Sequence, residues 1–129
     1  MSTSPVAPDI ELLGRRVIGC ALTVHRALGP GFLERIYRQA MMLELEACGI
    51  GFQCEQPAVV VYRGQPLSGQ RIDLVVEGLI IVELKAVSAI EPIHVAQVLS
   101  YLKTTGLRLG LLINFHETLL KNGIRRLVL

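Results

Sequence analysis

Apolar residues recur at helical spacing from Ile10 to Leu28, where Ile10, Leu12, Leu13, Val17, Ile18, Ala21, Leu22, Val24 and Leu28 form one broad stripe. The pattern predicts an amphipathic helix, with Asp9 as its N-cap and the "GPG" of Gly29 to Gly31 as its stop. A second helix is predicted from Phe32 to Cys48, with Phe32, Leu33, Ile36, Tyr37, Ala40, Met41, Leu43 and Leu45 facing inward. Gly49 stands where a helix C-terminus favours glycine. From Phe52 onward the pattern shifts toward β-branched residues. "AVVVYRGQPLSG" predicts a strand that ends in a glycine-containing turn, and "RIDLVVEGLIIVELKAV", Arg71 to Val87, predicts two more strands around a tight connection. Pro92 in a first turn, then Val95, Val98, Leu99 and Leu102, give a third helix over 91–105 before Gly106. "LRLGLLINF" is apolar on both faces and so predicts a central or parallel strand, and "IRRLVL" a short edge strand. Residues 1–8 are rich in Ser, Thr and Pro and are expected to be a flexible N-terminus, which leaves 9–129 as one domain.

The Arg71–Val87 segment carries Asp73, Glu83 and Lys85 where a quiet core would carry Val or Leu. Burying an ionised group costs several kcal/mol unless it is paired or holds a metal. Alternation along a strand puts Glu83 and Lys85 on one face, and Arg71, Asp73 and Val75 on one face of the preceding strand, with Ile72, Leu74 and Val76 on the other. A two-residue turn at Glu77 and Gly78 would set Asp73 against Val82 and send Glu83 to the wrong side. A longer connection or a single bulge sets Asp73 against Glu83, and that odd register is expected, because two carboxylates on one face can share a cation.

Composition adds limits to this picture. The 129 residues are 51% hydrophobic, enough for one core. A formal net charge of +2 neither demands nor excludes a nucleic-acid partner. Cys20, Cys48 and Cys54 are odd in number, lack CxxC spacing and sit in apolar surroundings, so reduced, buried thiols are the expected state. No unbroken apolar run reaches the roughly 18 residues of a membrane span, and the first residues lack a basic start followed by an apolar stretch. A cytoplasmic protein without a membrane partner is expected.

Hard divalent cations such as Mg²⁺ take oxygen ligands, keep several waters and are often held by one or two carboxylates plus substrate phosphate oxygens. Asp73 and Glu83 beside Lys85 suit such a cation and phosphodiester hydrolysis. The pattern of Asp73 followed by Glu83-x-Lys85 resembles the PD-(D/E)XK nuclease superfamily, and "GFLERIY", with Gly31, Glu34 and Tyr37, resembles the GxxExxY protein family within it. The likeness extends through "YRG", "RIDLVVE", "VELKAV", "AQVLSYL" and "GLLINF".

The resemblance implies an α/β restriction-endonuclease-like core: a central mixed sheet of four to five strands flanked by helices, in the order α-α-β-β-β-α-β-β. It further implies Asp73 and Glu83 as ligands of Mg²⁺ or Mn²⁺, Lys85 positioning or activating water, and Glu34 and Gln97 completing the catalytic site. Tyr37, Arg71 and Tyr101 become candidates for supporting or phosphate contacts. The implied partner is nucleic acid, DNA or RNA, and apolar surface is compatible with a homodimer. A module that keeps the fold for nucleic-acid or protein binding without catalysis is the rival reading. Arg15, Arg16, Arg26, Arg35 and Arg38 form either a solvated face or a phosphate track.

Overall fold

The computed structural model describes residues 6–129, so the expectation for the first five residues lies outside the described part. Helix α1 spans Pro8–Leu28 and α2 spans Glu34–Ala47. Strands follow at Phe52–Pro57 (β1), Val60–Tyr62 (β2), Gln65–Leu67 (β3), Arg71–Val76 (β4) and Ile80–Lys85 (β5). Helix α3 spans Pro92–Thr105, and the chain closes with Leu109–Asn114 (β6), a 3₁₀ turn at Leu120–Gly123 and Ile124–Val128 (β7).

Five strands form one mixed sheet in the order β1-β4-β5-β6-β7, in which only the β5–β6 pair is parallel. Every residue of β6 is buried, as its two-sided apolar pattern requires. On one sheet face Leu74, Val76, Val82 and Leu84 pack under α1 and α2, through residues such as Val17, Val24, Met41 and Leu45. On the other, Ile72, Val75, Ile81 and Leu112 pack under α3, through Val98, Tyr101 and Leu102.

Several expectations are corrected. Pro8 opens α1 two residues early, with Ala7 rather than Asp9 at the N-cap, because proline's fixed φ suits the first turn. Leu12, Phe32, Leu33 and Leu43 are exposed rather than inward, since the stripe facing the sheet is narrower than the apolar set. The "AVVVYRGQPLSG" segment is not a sheet strand; it folds into a separate two-stranded arm, β2–β3. The strand that completes the sheet is β1, "FQCEQP", an edge strand whose largely exposed, polar residues gave no apolar signal.

The turn that sets the β4–β5 register is the one the site depends on. Leu79 N–H donates to the Val76 carbonyl at 2.9 Å, and both Glu77 and Gly78 sit at positive φ, 52° and 66°. Leu79 is the extra residue, so Val76 pairs with Ile80, Val75 with Ile81 and Leu74 with Val82. One more step in that register sets Asp73 against Glu83, the odd alignment expected from parity.

Close packing of α3 on β6 fixes the opposite wall. A Cβ added at Gly110 would come 2.6 Å from Val98 Cγ1 and 3.4 Å from Leu102 Cδ1. Gly110→Ala is therefore expected to cost about 1–3 kcal/mol by forcing α3 off the sheet. A urea unfolding midpoint equal to that of the wild type would refute that packing.

Candidate active site

Asp73 occupies a break in the alternation of β4. Ile72 packs with the α3-side cluster, whereas Leu74 and Val76 pack under α1 and α2, so the face changes across Asp73. Ile72 therefore does not share a face with Leu74, contrary to strict alternation. Register on the other side points to the same place: Cys54 pairs with Leu74 and Gln56 with Ile72, and the intervening Glu55 stands opposite Asp73 at φ 50°. The irregularity lets the Asp73 carboxylate face two partners at once. Its Oδ2 accepts the Leu84 N–H at 2.9 Å, and its Oδ1 lies 3.6 Å from Arg38 Nη1 of α2. Asp73 N–H points to Glu83 Oε1 at 3.5 Å. Side chains thus replace ladder bonds where the regular pairing ends.

Glu83 is the most enclosed of the group, with 5% of its side chain exposed. Its Oε2 lies 3.4 Å from Lys85 Nζ, which also donates to Gln97 Oε1 on α3 at 3.1 Å. Burial, then repulsion from Asp73, pushes the Glu83 carboxyl up to about 7, against the opposing pull of Lys85. Burial also raises Asp73, with the Leu84 N–H, Arg38 and Lys85 working the other way. Glu34, in the first turn of α2, is raised by burial and then by Asp73, and is drawn down by Lys85, Arg38 and His94. Mutual influence of this kind places Glu34 in the same electrostatic group.

The structure thus joins Asp73, Glu83, Lys85 and Gln97 by direct contacts, with Glu34 close enough to feel the charges of Asp73 and Lys85. Tyr101, one turn beyond Gln97, donates to the Arg71 carbonyl at 3.2 Å, and burial followed by the Glu83 charge raises its phenol. The Arg71 guanidinium turns instead to the Glu55 carbonyl at 3.3 Å. Tyr37 stands apart: it is fully buried, stacks on Phe115 at 4.4 Å, donates to the Gly29 carbonyl at 2.5 Å and accepts the Phe32 N–H at 3.2 Å. Its hydroxyl ties down the α1–α2 connection rather than the carboxylates. His94 accepts the Glu91 N–H at 2.9 Å and so helps start α3.

Arg38, which the sequence offers only as one of five arginines on a solvated face or a phosphate track, belongs to the carboxylate group. It bridges Asp73 and Glu55, each at 3.6 Å. Its position one helical turn after Glu34, on the same face, was the available signal.

Lys85 and Gln97 open onto a cleft of about 550 Å³ whose wall also includes Gln70, Ile93, His94 and Ser100. Among the described residues, no three His, Cys, Asp or Glu side chains converge closely enough to enclose a cation. The donor set nonetheless fits one open divalent site. It offers a buried and a half-buried carboxylate that repel each other, and Mg²⁺ commonly takes one or two carboxylates with water and phosphate oxygens in its other positions.

The family model described as the PD-(D/E)XK nuclease superfamily matches residues 11–127. The chain belongs to the PD-(D/E)XK nuclease superfamily. A comparison with curated proteins and one with solved structures each returned no match. Membership in the nuclease superfamily agrees with the five-stranded mixed sheet between helices, a restriction-endonuclease-like arrangement. It also sets nucleic acid as the substrate class and divalent metals as the general cofactor class of the group. No helix among the described residues is long and apolar enough to cross a membrane.

Proposed function

We propose that this nuclease-superfamily domain hydrolyses phosphodiester bonds in nucleic acid with Mg²⁺ or Mn²⁺ held by Asp73 and Glu83, and that it is a GxxExxY-type member. The observation that carries the reading is the approach of Asp73 N–H to Glu83 Oε1 at 3.5 Å, one step past the last regular β4–β5 pair, with Lys85 Nζ linked to both Glu83 and Gln97. Asp73 and Glu83 would hold the divalent cation, which would supply Lewis-acid stabilisation of negative charge on the phosphoryl oxygens.

The remaining work belongs to the chain's own groups. Gln97 Oε1 holds the Lys85 ammonium at the mouth of the cleft, where its free N–H groups hydrogen-bond and orient the attacking water or a phosphate oxygen. Glu34, with its carboxyl raised by burial, is suited to take up the proton released by that water. Arg38 offsets the charge of Asp73 and keeps it aimed at β5. A cytoplasmic setting is part of the same reading, and the three free thiols support it, although only Cys20 is buried as expected and Cys48 and Cys54 are exposed.

Calorimetric titration with Mn²⁺ tests the site directly. Wild type is expected to bind, and Asp73→Ala to lose affinity by at least tenfold, as loss of one of two charged ligands implies. Absence of heat from the wild type would remove the reading. One observation favours the rival, a module without catalysis: Lys85 already compensates Glu83 at 3.4 Å. In that case neither protein binds Mn²⁺.

A further inference from the structure

The active-site cleft does not end at Ser100. That residue also lines a second hollow of about 410 Å³, bounded by Val59, Val60, Val61, Lys103 and Thr104, so the two lie end to end along α3 with Ser100 between them and together trace a groove. One wall of the groove is the β2–β3 arm, which leaves the sheet where Ala58 N–H bonds to the Gln70 carbonyl at 3.0 Å. Every residue of β2 and β3 is exposed, including Val60, Val61, Tyr62 and Leu67. A two-stranded ribbon is marginal in water by itself, and neighbouring residues of a strand point to opposite faces. This arm therefore shows apolar side chains on both sides without a core to cover them.

Charge along the groove is of one sign. No Asp or Glu occurs between Gln56 and Ile72 or within α3, whereas Arg63 sits at the arm's turn, Arg71 at its root and Lys103 in the groove. Cationic and apolar surfaces together match a ligand with phosphates and open base faces. A duplex offers its phosphates and hides its base faces in the stack, so it satisfies only half of this surface. Tyr62, 65% exposed at the end of β2, offers a ring for one base to stack on.

We propose that this groove binds an unpaired strand of nucleic acid and leads it to Lys85, with Tyr62 stacking on a base and Lys103 holding a phosphate. The proposal rests on the nuclease reading and names the form of its substrate.

Fluorescence anisotropy of the full chain in EDTA, with a short labelled oligothymidylate and a blunt duplex of similar length, tests it. Wild type is expected to favour the single strand. Tyr62→Ala is expected to weaken that binding about tenfold. Lys103→Ala is expected to weaken it less and to lower the slope of log affinity against log salt by about 0.7. Equal or tighter duplex binding, or single-strand affinities untouched by both substitutions, would overturn the proposal. So would light scattering that shows Tyr62→Ala dissolving a dimer while single-strand affinity holds, which would assign the arm to a second copy. Mn²⁺ calorimetry keeps the two ideas apart. A protein that binds Mn²⁺ through Asp73 but ignores the arm substitutions loses only the groove; one that binds no Mn²⁺ loses the nuclease reading, while anisotropy still decides the groove.

Discussion

Lys85→Ala is expected to lower phosphodiester cleavage by about 10²–10⁴-fold while leaving Mn²⁺ binding measurable at pH 8. The two effects separate because Lys85 holds no cation itself; its Nζ contacts Glu83 Oε2 at 3.4 Å and Gln97 Oε1 at 3.1 Å. Removing it takes away the ammonium at the cleft and leaves both carboxylates in place. It also removes the charge that draws the Glu83 carboxyl down, so Glu83 in the variant holds its proton to higher pH. Metal affinity in the variant is consequently lower than wild type near pH 6 and close to it at pH 8. Single-turnover cleavage with saturating Mn²⁺, run beside calorimetry at both pH values, checks the pair of outcomes. Full cleavage by Lys85→Ala would deny Lys85 its role.

A second large effect concerns pH and stability. The Glu83 carboxyl titrates at about 7 in the folded chain against an ordinary value of 4.5, chiefly through burial and then through Asp73. Between those two values the folded state binds more protons than the unfolded state, so stability without metal falls as pH rises through the window. The full loss, present above about pH 7, is on the order of 3 kcal/mol. For a domain of this size the melting temperature is expected to drop by about 10 °C from pH 5 to pH 8 through this group. Glu83→Gln mimics the protonated carboxyl, so it is expected to flatten that slope and to melt higher than wild type at pH 8. Added Mn²⁺ is expected to stabilise wild type at pH 8 but not Glu83→Gln. Differential scanning calorimetry across the window, with and without Mn²⁺, reads all three effects, and a wild-type profile that rises from pH 5 to pH 8 would contradict the assignment.

Much of this was legible in the chain because two periodicities are strong. The stripes of α1 and α3, the two-sided apolar run of β6 and the charges at Asp73, Glu83 and Lys85 each carry their signal locally. Parity alone was enough to favour the register that the Leu79 bulge produces. What was not legible depends on contacts distant in sequence. β1 is an edge strand of mostly exposed residues, so neither alternation nor an apolar run marks it. The link from Arg38 to Asp73 and Glu55 joins α2 to two strands; helical spacing sets Arg38 beside Glu34 but does not encode those two partners. Leu43 and Phe32 satisfy the helical pattern but face outward, since apolar periodicity says which residues could be buried and not how much surface the neighbours cover.

The Leu79 bulge has a consequence for how the gene can change. Surface loops ordinarily absorb insertions and deletions, because only their ends are fixed. Between Val76 and Ile80 the number of residues decides which way every later side chain of β5 points, so gain or loss of one codon there would turn Glu83 and Lys85 to the α1–α2 side and bring Val82 and Leu84 to the site. The β2–β3 arm has no such arithmetic, since Ala58 and Gln70 close the chain beneath it whatever its length. Of these two connections, the arm is the one free to change length, and the shorter loop is the one locked in reading frame with the chemistry.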